Sequence, residues 1–359
     1  MLNPDFSGQK TPLPLTKSVI KLLKIIMKHY LYTLLILVLF SCDKEEPEKP
    51  NTSPKAFEVT AKVEGTDVTL TWTEAVDSDG DAVTYAIVYG DTLAKGLTAR
   101  TFTIKNLPYE TEIAGTVMAS DGKGGETESR FKVKTGENPF VKISDEEFEK
   151  FLIKEGIDDV LDGKVLKENV IKVKILRFAS AKGEWGRIDS FTGIEHFLNL
   201  EELLIAGNSL LQDIDFSKNK KLKILALENC LNLRKVNLKN NSELEYLYLV
   251  ETDLRDVDLS GNKKLKGLSL IWNVEDGKGY SFMKDINLTE NAELVSAYFS
   301  GIGLERMDLT NNTRLAFLAC DNNNLSHLDL SNNTRLEILY CNHNYLTELN
   351  LCYNSNLKQ

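Results

Sequence analysis

The sequence predicts a β-rich chain: a small antiparallel sandwich, then a short helical cap, then a solenoid of stacked coils with a parallel β-sheet. Three observations predict it. From Leu200 onward a leucine and asparagine pattern returns every 21 or 22 residues, with one longer step of 29, and self-similarity at such a period signals one supersecondary unit stacked along an axis. Residues 55–136 instead alternate apolar and polar in short runs broken by turn residues, the signature of half-buried strands. Between these two regions, Phe148, Phe151 and Leu152 recur at helical spacing.

Composition bounds the function. The chain has 359 residues, 42% apolar and 27% charged, with a formal charge of −10. The first 41 residues carry five lysines against Asp5, so the chain from Cys42 onward is more acidic still. Such a surface repels phosphate backbones, and the sequence has no basic stripe with interleaved aromatics, so nucleic acid is excluded as a partner. The five cysteines, Cys42, Cys230, Cys320, Cys341 and Cys352, form no CxxC pair, and their spacing suits neither zinc nor a disulfide scaffold. No catalytic triad, nucleotide loop or pair of catalytic carboxylates appears. The reading is a protein that is not an enzyme and takes no cofactor.

The N-terminus reads as an address. Met27-Lys28-His29 precedes an apolar run from Tyr30 to Phe40, then Ser41-Cys42-Asp43; a basic start, a short apolar stretch and a small residue describe a secretory signal over residues 1–41, with Met27 the expected true start. The run is shorter than the roughly 20 residues a bilayer span needs. Leu39-Phe40-Ser41-Cys42 resembles a bacterial lipobox, and that resemblance implies cleavage before Cys42, its acylation, and attachment to a membrane through the N-terminal lipid. The acidic run Asp43-Lys44-Glu45-Glu46 resembles the export tag of Bacteroidetes lipoproteins, which implies the outer face of the outer membrane. Pro47, Pro50 and Pro54 equally suit an extended linker over 42–54.

Within 55–136, Val68, Leu70 and Trp72 point one way along one run, and Val83, Tyr85, Ile87 and Tyr89 along another. Phe102 and Ile104 make a third, and Ile113, Gly115, Val117 and Ala119 a fourth. Asp79-Gly80, Gly90-Asp91 and Asp121-Gly122-Lys123-Gly124-Gly125 mark turns. About seven short strands without cysteines read as an immunoglobulin-like sandwich. Leu70-Thr71-Trp72, Asp77 to Asp81 and Val83-Thr84-Tyr85, with Leu107, Pro108, Val117 and Ala119, resemble a fibronectin type III domain, for which a rigid spacer is the expected role. Asp77, Asp79 and Asp81 evoke calcium, but residue twelve of an EF-hand loop beginning there is Val88 rather than glutamate. An ordinary acidic turn, and no metal, is the expectation.

The repeats open at Leu200, Leu222, Leu244, Leu265, Leu294, Leu315, Leu336 and Leu357, and Asn219, Asn241, Asn262, Asn291, Asn312, Asn333 and Asn354 stand three residues before the last seven. Apolar residues at positions 1, 4 and 6 of each coil, as at Leu244, Leu247 and Leu249, point alternate residues of a short strand inward. The asparagines direct their amides at backbone groups of their own and adjoining bends. The pattern Leu315-x-x-Leu318-x-Cys320-x-x-Asn323-x-Leu325-x-x-Leu328-Asp329-Leu330-Ser331-x-Asn333 resembles the short bacterial leucine-rich repeats of internalin-like proteins and Bacteroidetes surface lipoproteins. About seven repeats fill 200–359. Residues 143–199, with Ile143-Ser144-Asp145, Phe148, Leu152 and Phe191-Thr192-Gly193-Ile194-Glu195, fit the cap that precedes such arrays.

A mid-repeat asparagine is present at Asn208, Asn273, Asn323 and Asn344 and replaced by Cys230, Thr252 and Ile302; the fourth coil carries about eight extra residues near Val274–Lys284. The resemblance places positions 3, 5, 7 and 8 of each coil outward on a concave sheet. These supply Tyr246, Tyr248, Ile271, Trp272, Tyr298, Phe317, Ile338 and Tyr340, a continuous stripe at a strand spacing of about 4.8 Å. Such a stripe marks recognition of a protein or a glycan, against the alternative of cross-strand pairing that only stabilises the sheet. Tyr246, Tyr248, Trp272, Tyr298, Phe317 and Tyr340 are therefore the candidate ligand-binding residues. Cys320 and Cys341 take the inward sixth position, as buried thiols or as a disulfide. The expected function is recognition or adhesion by a cell-surface lipoprotein. The alternative is a structural or assembly component of an outer-membrane polysaccharide-handling complex, docking through the coil that ends at Leu357-Lys358-Gln359 without a polar cap.

Overall fold

The computed structural model describes residues 21, 24–28, 49–179, 188–272 and 283–358. The lipidation candidate Cys42, the acidic run 43–46, Asn273, most of the expected insertion and most of the expected signal segment lie outside the described residues. No helix among the described residues is long and apolar enough to cross a membrane. The chain divides into two compact units, one reaching Glu137 and the other starting at Asn138.

The first unit is built from β1 (Val59–Glu64), β2 (Asp67–Trp72), β3 (Thr84–Tyr89), β4 (Asp91–Leu97), β5 (Thr101–Ile104), β6 (Glu112–Ser120) and β7 (Glu126–Lys134). Three of them form an antiparallel sheet in the order β1-β2-β5, and four form a second in the order β4-β3-β6-β7. Strand alternation puts Val68, Leu70 and Trp72 of β2 into one core with Tyr85 and Ile87 of β3 and Ile113, Val117 and Ala119 of β6. Trp72 meets Tyr85 edge to face at 5.4 Å, and the Tyr85 hydroxyl accepts the Ala75 amide at 2.9 Å. Gly115 is fixed by packing: a Cβ there would collide with the Val88 carbonyl and the Phe131 ring.

The second unit begins with β8 (Phe140–Lys142), α1 (Glu146–Lys154), β9 (Lys164–Leu166) and α2 (Lys167–Val170), β8 pairing antiparallel with β9. Asp145 caps α1, its Oδ1 accepting the Glu147 and Phe148 amides at 3.0 and 3.1 Å, while its Oδ2 accepts the Asp189 amide at 2.7 Å. One carboxylate thus starts the helix and ties it to the turn before the first coils. Phe148, Phe151 and Leu152 face inward, Phe148 against Phe191 at 5.0 Å between centroids.

Eight parallel strands follow: β10 (Ile175–Ala179), β11 (Glu202–Ala206), β13 (Ile224–Glu228), β15 (Tyr246–Val250), β16 (Gly267–Ile271), β17 (Ser296–Ser300), β18 (Phe317–Ala319) and β19 (Ile338–Tyr340). The short strands β12 (Asp213–Asp215) and β14 (Lys235–Asn237) pair in parallel in a separate sheet. The eight strands stack without slip, so that Leu225, Leu247, Leu268, Ala297, Leu318 and Leu339 align across the coils. Their core is one continuous cluster from Val141 to Leu336. No coil buries its leucines alone; each completes its neighbour.

The bend asparagines supply the polar half of this stacking. Asn241 donates from Nδ2 to the carbonyls of Phe216 and Asn219 at 3.0 and 2.8 Å, and Asn262 does the same to Leu238 and Asn241 at 3.2 and 2.9 Å. Asn291, Asn312, Asn333 and Asn354 repeat this, each reaching the carbonyl of the asparagine one coil earlier at 2.9 Å. All seven are buried. The mid-repeat asparagines act likewise: Asn323 donates to the Phe299 carbonyl at 2.6 Å and accepts the Gly303 and Leu304 amides. Cys230, in the same position, substitutes a thiol 3.6 and 3.9 Å from the Glu228 and Ile205 carbonyls, a weaker donor over a longer reach.

Candidate binding face

Strand register fixes what the outer side of the parallel sheet presents. One row reads Glu202, Ile224, Tyr246, Gly267, Ser296, Phe317 and Ile338; the next reads Leu204, Ala226, Tyr248, Ser269, Tyr298, Ala319 and Tyr340. From β13 to β19 neither row contains a charged residue. The flanking row is charged and self-neutralised: Lys223 pairs with Glu201, Lys266 with Glu245 at 2.7 Å, and Lys358 with Glu337. That ladder lapses between Lys266 and Glu337, where Val295, 42% exposed, and Ala316 stand beside Ser296 and Phe317. The apolar surface is therefore widest at β17 and β18.

The fourth coil offers no aromatic at positions 3 and 5, yet the surface is not interrupted there. Gly267 is buried because the Tyr246 ring lies over it, and a Cβ would sit 2.7 Å from Tyr246 Cδ1. Ser269, whose neighbours in register are Tyr248 and Tyr298, is only 5% exposed. Tyr298 and Phe317 stack at 4.4 Å between centroids with their planes 28° apart, and Phe317 meets Tyr340 at 6.0 Å. Rings of the two adjacent coils thus flank the small residues of the fourth, and the ring surface continues through Phe317 and Tyr340. Tyr248 and Tyr298 remain the most exposed rings of the group, at 37% and 38%. Partial burial, then the charges of Tyr246 and Tyr298, push the Tyr248 phenol above its ordinary value of 10, so it is a hydroxyl donor and acceptor at neutral pH.

Of the six residues singled out from sequence, Tyr246, Tyr248, Tyr298, Phe317 and Tyr340 share this surface. Trp272 differs. It follows β16, its amide donates to the Ser300 carbonyl at 2.8 Å, and its half-buried side chain packs against the solenoid core. Position 8 carries Gly207, Asn229 and Gly301 in other coils; an indole in that place gains more by folding down over Leu270 and Met283, with which it lines a small void, than by standing in water. Gly267, Ser269, Val295 and Ala316 were missed by sequence reasoning that sought aromatics alone. Their signal is small or uncharged residues at positions whose neighbours one coil away are large.

The cysteines in the described residues are free thiols. Burial pushes the Cys230 thiol up to about 11 and the Cys320 thiol up to about 12, the latter aided by Cys341, which keeps both protonated and unreactive at neutral pH. Among the described residues, no group of three or more His, Cys, Asp or Glu side chains could hold a metal ion.

The class of protein is set by these coils: a leucine-rich-repeat-like β-solenoid whose outer sheet carries an aromatic surface. No protein-family model matches the chain, and no curated protein matches it. Among solved structures, an internalin C2 of Listeria monocytogenes is similar at 21% identity over 60% of this chain and 92% of that one, with a TM-score of 0.43. An internalin F of the same organism shows 17% identity over 60% and 81%, with a TM-score of 0.29. A functional domain of internalin J from that organism, described as including a cysteine ladder, shows 16% identity over 61% and 74%, with a TM-score of 0.18.

Proposed function

We propose that this chain is a lipid-anchored recognition protein of the outer-membrane surface, whose leucine-rich-repeat face binds a protein or glycan ligand. In this reading Cys42 carries the anchor and the first unit is a fibronectin type III-like spacer. The helix α1 region caps the array, and Tyr246, Tyr248, Tyr298, Phe317 and Tyr340 make the contact. The observation that carries it is the uncharged aromatic surface running across five consecutive coils. Leucine-rich solenoids bury their apolar residues between coils, so rings on the outer sheet are additional to that core; Tyr246, Tyr298 and Phe317 also pack across strands, while Tyr248 and Tyr298 stay more than a third exposed.

The geometry favours protein over glycan. A sugar is recognised on the open face of an aromatic ring, whereas Tyr298 and Phe317 each turn one face to the other. Together with Tyr246, Tyr248 and Tyr340 they mix apolar rings with phenol hydroxyls, as a protein hot spot does, and the neutralised Lys–Glu ladder supplies its polar rim. The assembly alternative draws on the exposed Tyr345 and Tyr353 of the last described coil, 70% and 59% exposed. The test is capture from host-surface protein and glycan arrays by the chain and by its Tyr248→Ala/Tyr298→Ala variant. Loss of a captured ligand with retained folding supports recognition through this face. Retention in that variant, with loss in Tyr345→Ala/Tyr353→Ala, favours assembly.

A further inference from the structure

The outer side of the parallel sheet has a third row beside the two that bear rings. In register it reads Ala206, Glu228, Val250, Ile271 and Ser300. The strands of this sheet from β13 to β19 contain one charged residue, Glu228, and alternation places it on the same side as Ile224 and Ala226. It is half-buried, and its carboxylate has no hydrogen-bond or ion-pair partner among the described residues. The other charges around this face are matched. Arg177 of β10 meets Glu202 of β11 at 2.7 Å, and along the flank Lys223 meets Glu201 and Lys266 meets Glu245. Asp321, just past β18, has its Oδ1 taken by the amide and side chain of Asn342 at 2.7 and 3.0 Å.

Glu251 follows Val250, the neighbour of Glu228 in register, and its carboxylate also has no partner among the described residues. Its φ is +54°, at a position where Gly207, Asn229, Gly301 and Asn322 stand in other coils, so that backbone does not favour a glutamate. A partner that covers the rings also covers Glu228, because Tyr248 is its diagonal neighbour one strand away, within reach of a long side chain. Taking a lone carboxylate out of water is unfavourable unless a cation meets it, so docking here selects a partner that brings one. A lysine or arginine in that place gains from the carboxylate and from the Tyr248 ring beside it. The formal charge of −10 on the chain attracts the same kind of partner from a distance. The far end of the face makes a different demand: Val295, Tyr298, Ala316 and Phe317 carry no charge and suit apolar side chains.

We propose that the rings receive a protein segment with a basic residue at one end and apolar residues along the rest. Its lysine or arginine sits between Glu228 and Tyr248, with Glu251 adding negative charge nearby, and its apolar part runs from β15 to β18. This rests on the recognition role proposed above, and adds to it the chemistry of the partner and its direction on the face. Four strand steps separate β13 from β18; at about 4.8 Å each they span roughly 19 Å, which about six extended residues cover.

The probe is a display library of random segments of about eight residues, panned on the full chain, with clones that also bind the Tyr248→Ala/Tyr298→Ala variant discarded. The remaining clones are expected to share a lysine or arginine at one end of an apolar run and to bind less tightly as salt rises. Glu228→Gln, which keeps the shape of the side chain and removes its charge, is expected to weaken them about fivefold or more. Glu228→Lys is expected to select an acidic end instead. Clones without a basic residue, or with an affinity that Glu228→Gln leaves unchanged, would overturn the basic partner while leaving recognition by this face intact. If no clone distinguishes the chain from Tyr248→Ala/Tyr298→Ala, the basic partner and the recognition role fall together.

Discussion

Asn312 shows how much one side chain does in this architecture. Its Nδ2 reaches the Leu288 and Asn291 carbonyls of the preceding coil at 3.2 and 2.9 Å, and the residue is fully buried. Each of these carbonyls also accepts a backbone amide, from Asn291 and Leu294 at 3.0 and 3.1 Å, so removing the side chain takes the second donor from both, at about 0.5–1.5 kcal/mol per hydrogen bond. Asn312→Ala is therefore expected to lower unfolding free energy in urea by roughly 1–3 kcal/mol, and Asn312→Asp, which turns an acceptor toward those carbonyls, by more. A loss below about 0.5 kcal/mol, typical of a surface change, would mean that these two bonds add nothing to the stacking. The thiols give a second residue-scale expectation. At pH 8 native chain should label quickly at exposed Cys352 and slowly at Cys230 and Cys320, whose burial holds them protonated; rapid labelling of all three, read by mass spectrometry, would show that the coils open. At Gly267, alanine would drive a methyl into the Tyr246 ring. Gly267→Ala is expected to alter ligand capture while leaving the far-UV spectrum unchanged, and an unaltered affinity would detach Tyr246 from the contact surface.

At the scale of the element, the unit is the coil, and much of it was legible beforehand. Leu244, Leu247 and Leu249 announce an inward strand face, and Asn241 announces the bend before it, because period and polarity there are set by local sterics and by burial. The sandwich strands were legible for the same reason, since Val68, Leu70 and Trp72 alternate on one face. Trp272 was not, because its placement depends on Leu270, Met283 and the neighbouring coil rather than on its own position number. The diagonal stack of Tyr298 on Phe317 was also hidden, as it joins position 5 of one coil to position 3 of the next. Carboxylates decorate every coil, and they set an acid limit. Lys266 holds Glu245 below the usual range, and the side chains of Ser260 and Thr310 and the Ser331 amide do so for Asp258, Asp308 and Asp329 respectively. Depressed folded-state values stabilise the fold above the unfolded carboxylate pKa of about 4, and that contribution disappears as pH falls through the folded values. Melting temperature should accordingly be level from pH 7 to 5 and drop below pH 4; a fold that strengthens on acidification would contradict the sign.

Across the whole molecule, the two units are held together differently. The first is a closed core of about a dozen buried side chains between two antiparallel sheets. The second is a stack in which neighbouring coils complete one another. A stack of this kind presents a long sheet whose outer residues are free to vary, and here the variation runs to neutral aromatics over five coils. The most direct measurement is ligand capture by the chain and by Tyr248→Ala/Tyr298→Ala on arrays of host-surface proteins and glycans, with each sample's melting curve recorded. The expected result is a captured protein that the variant no longer holds, with a melting temperature within a few degrees of the parent. Capture that survives the double substitution, or is lost only together with the folded state, would contradict a recognition role for this face.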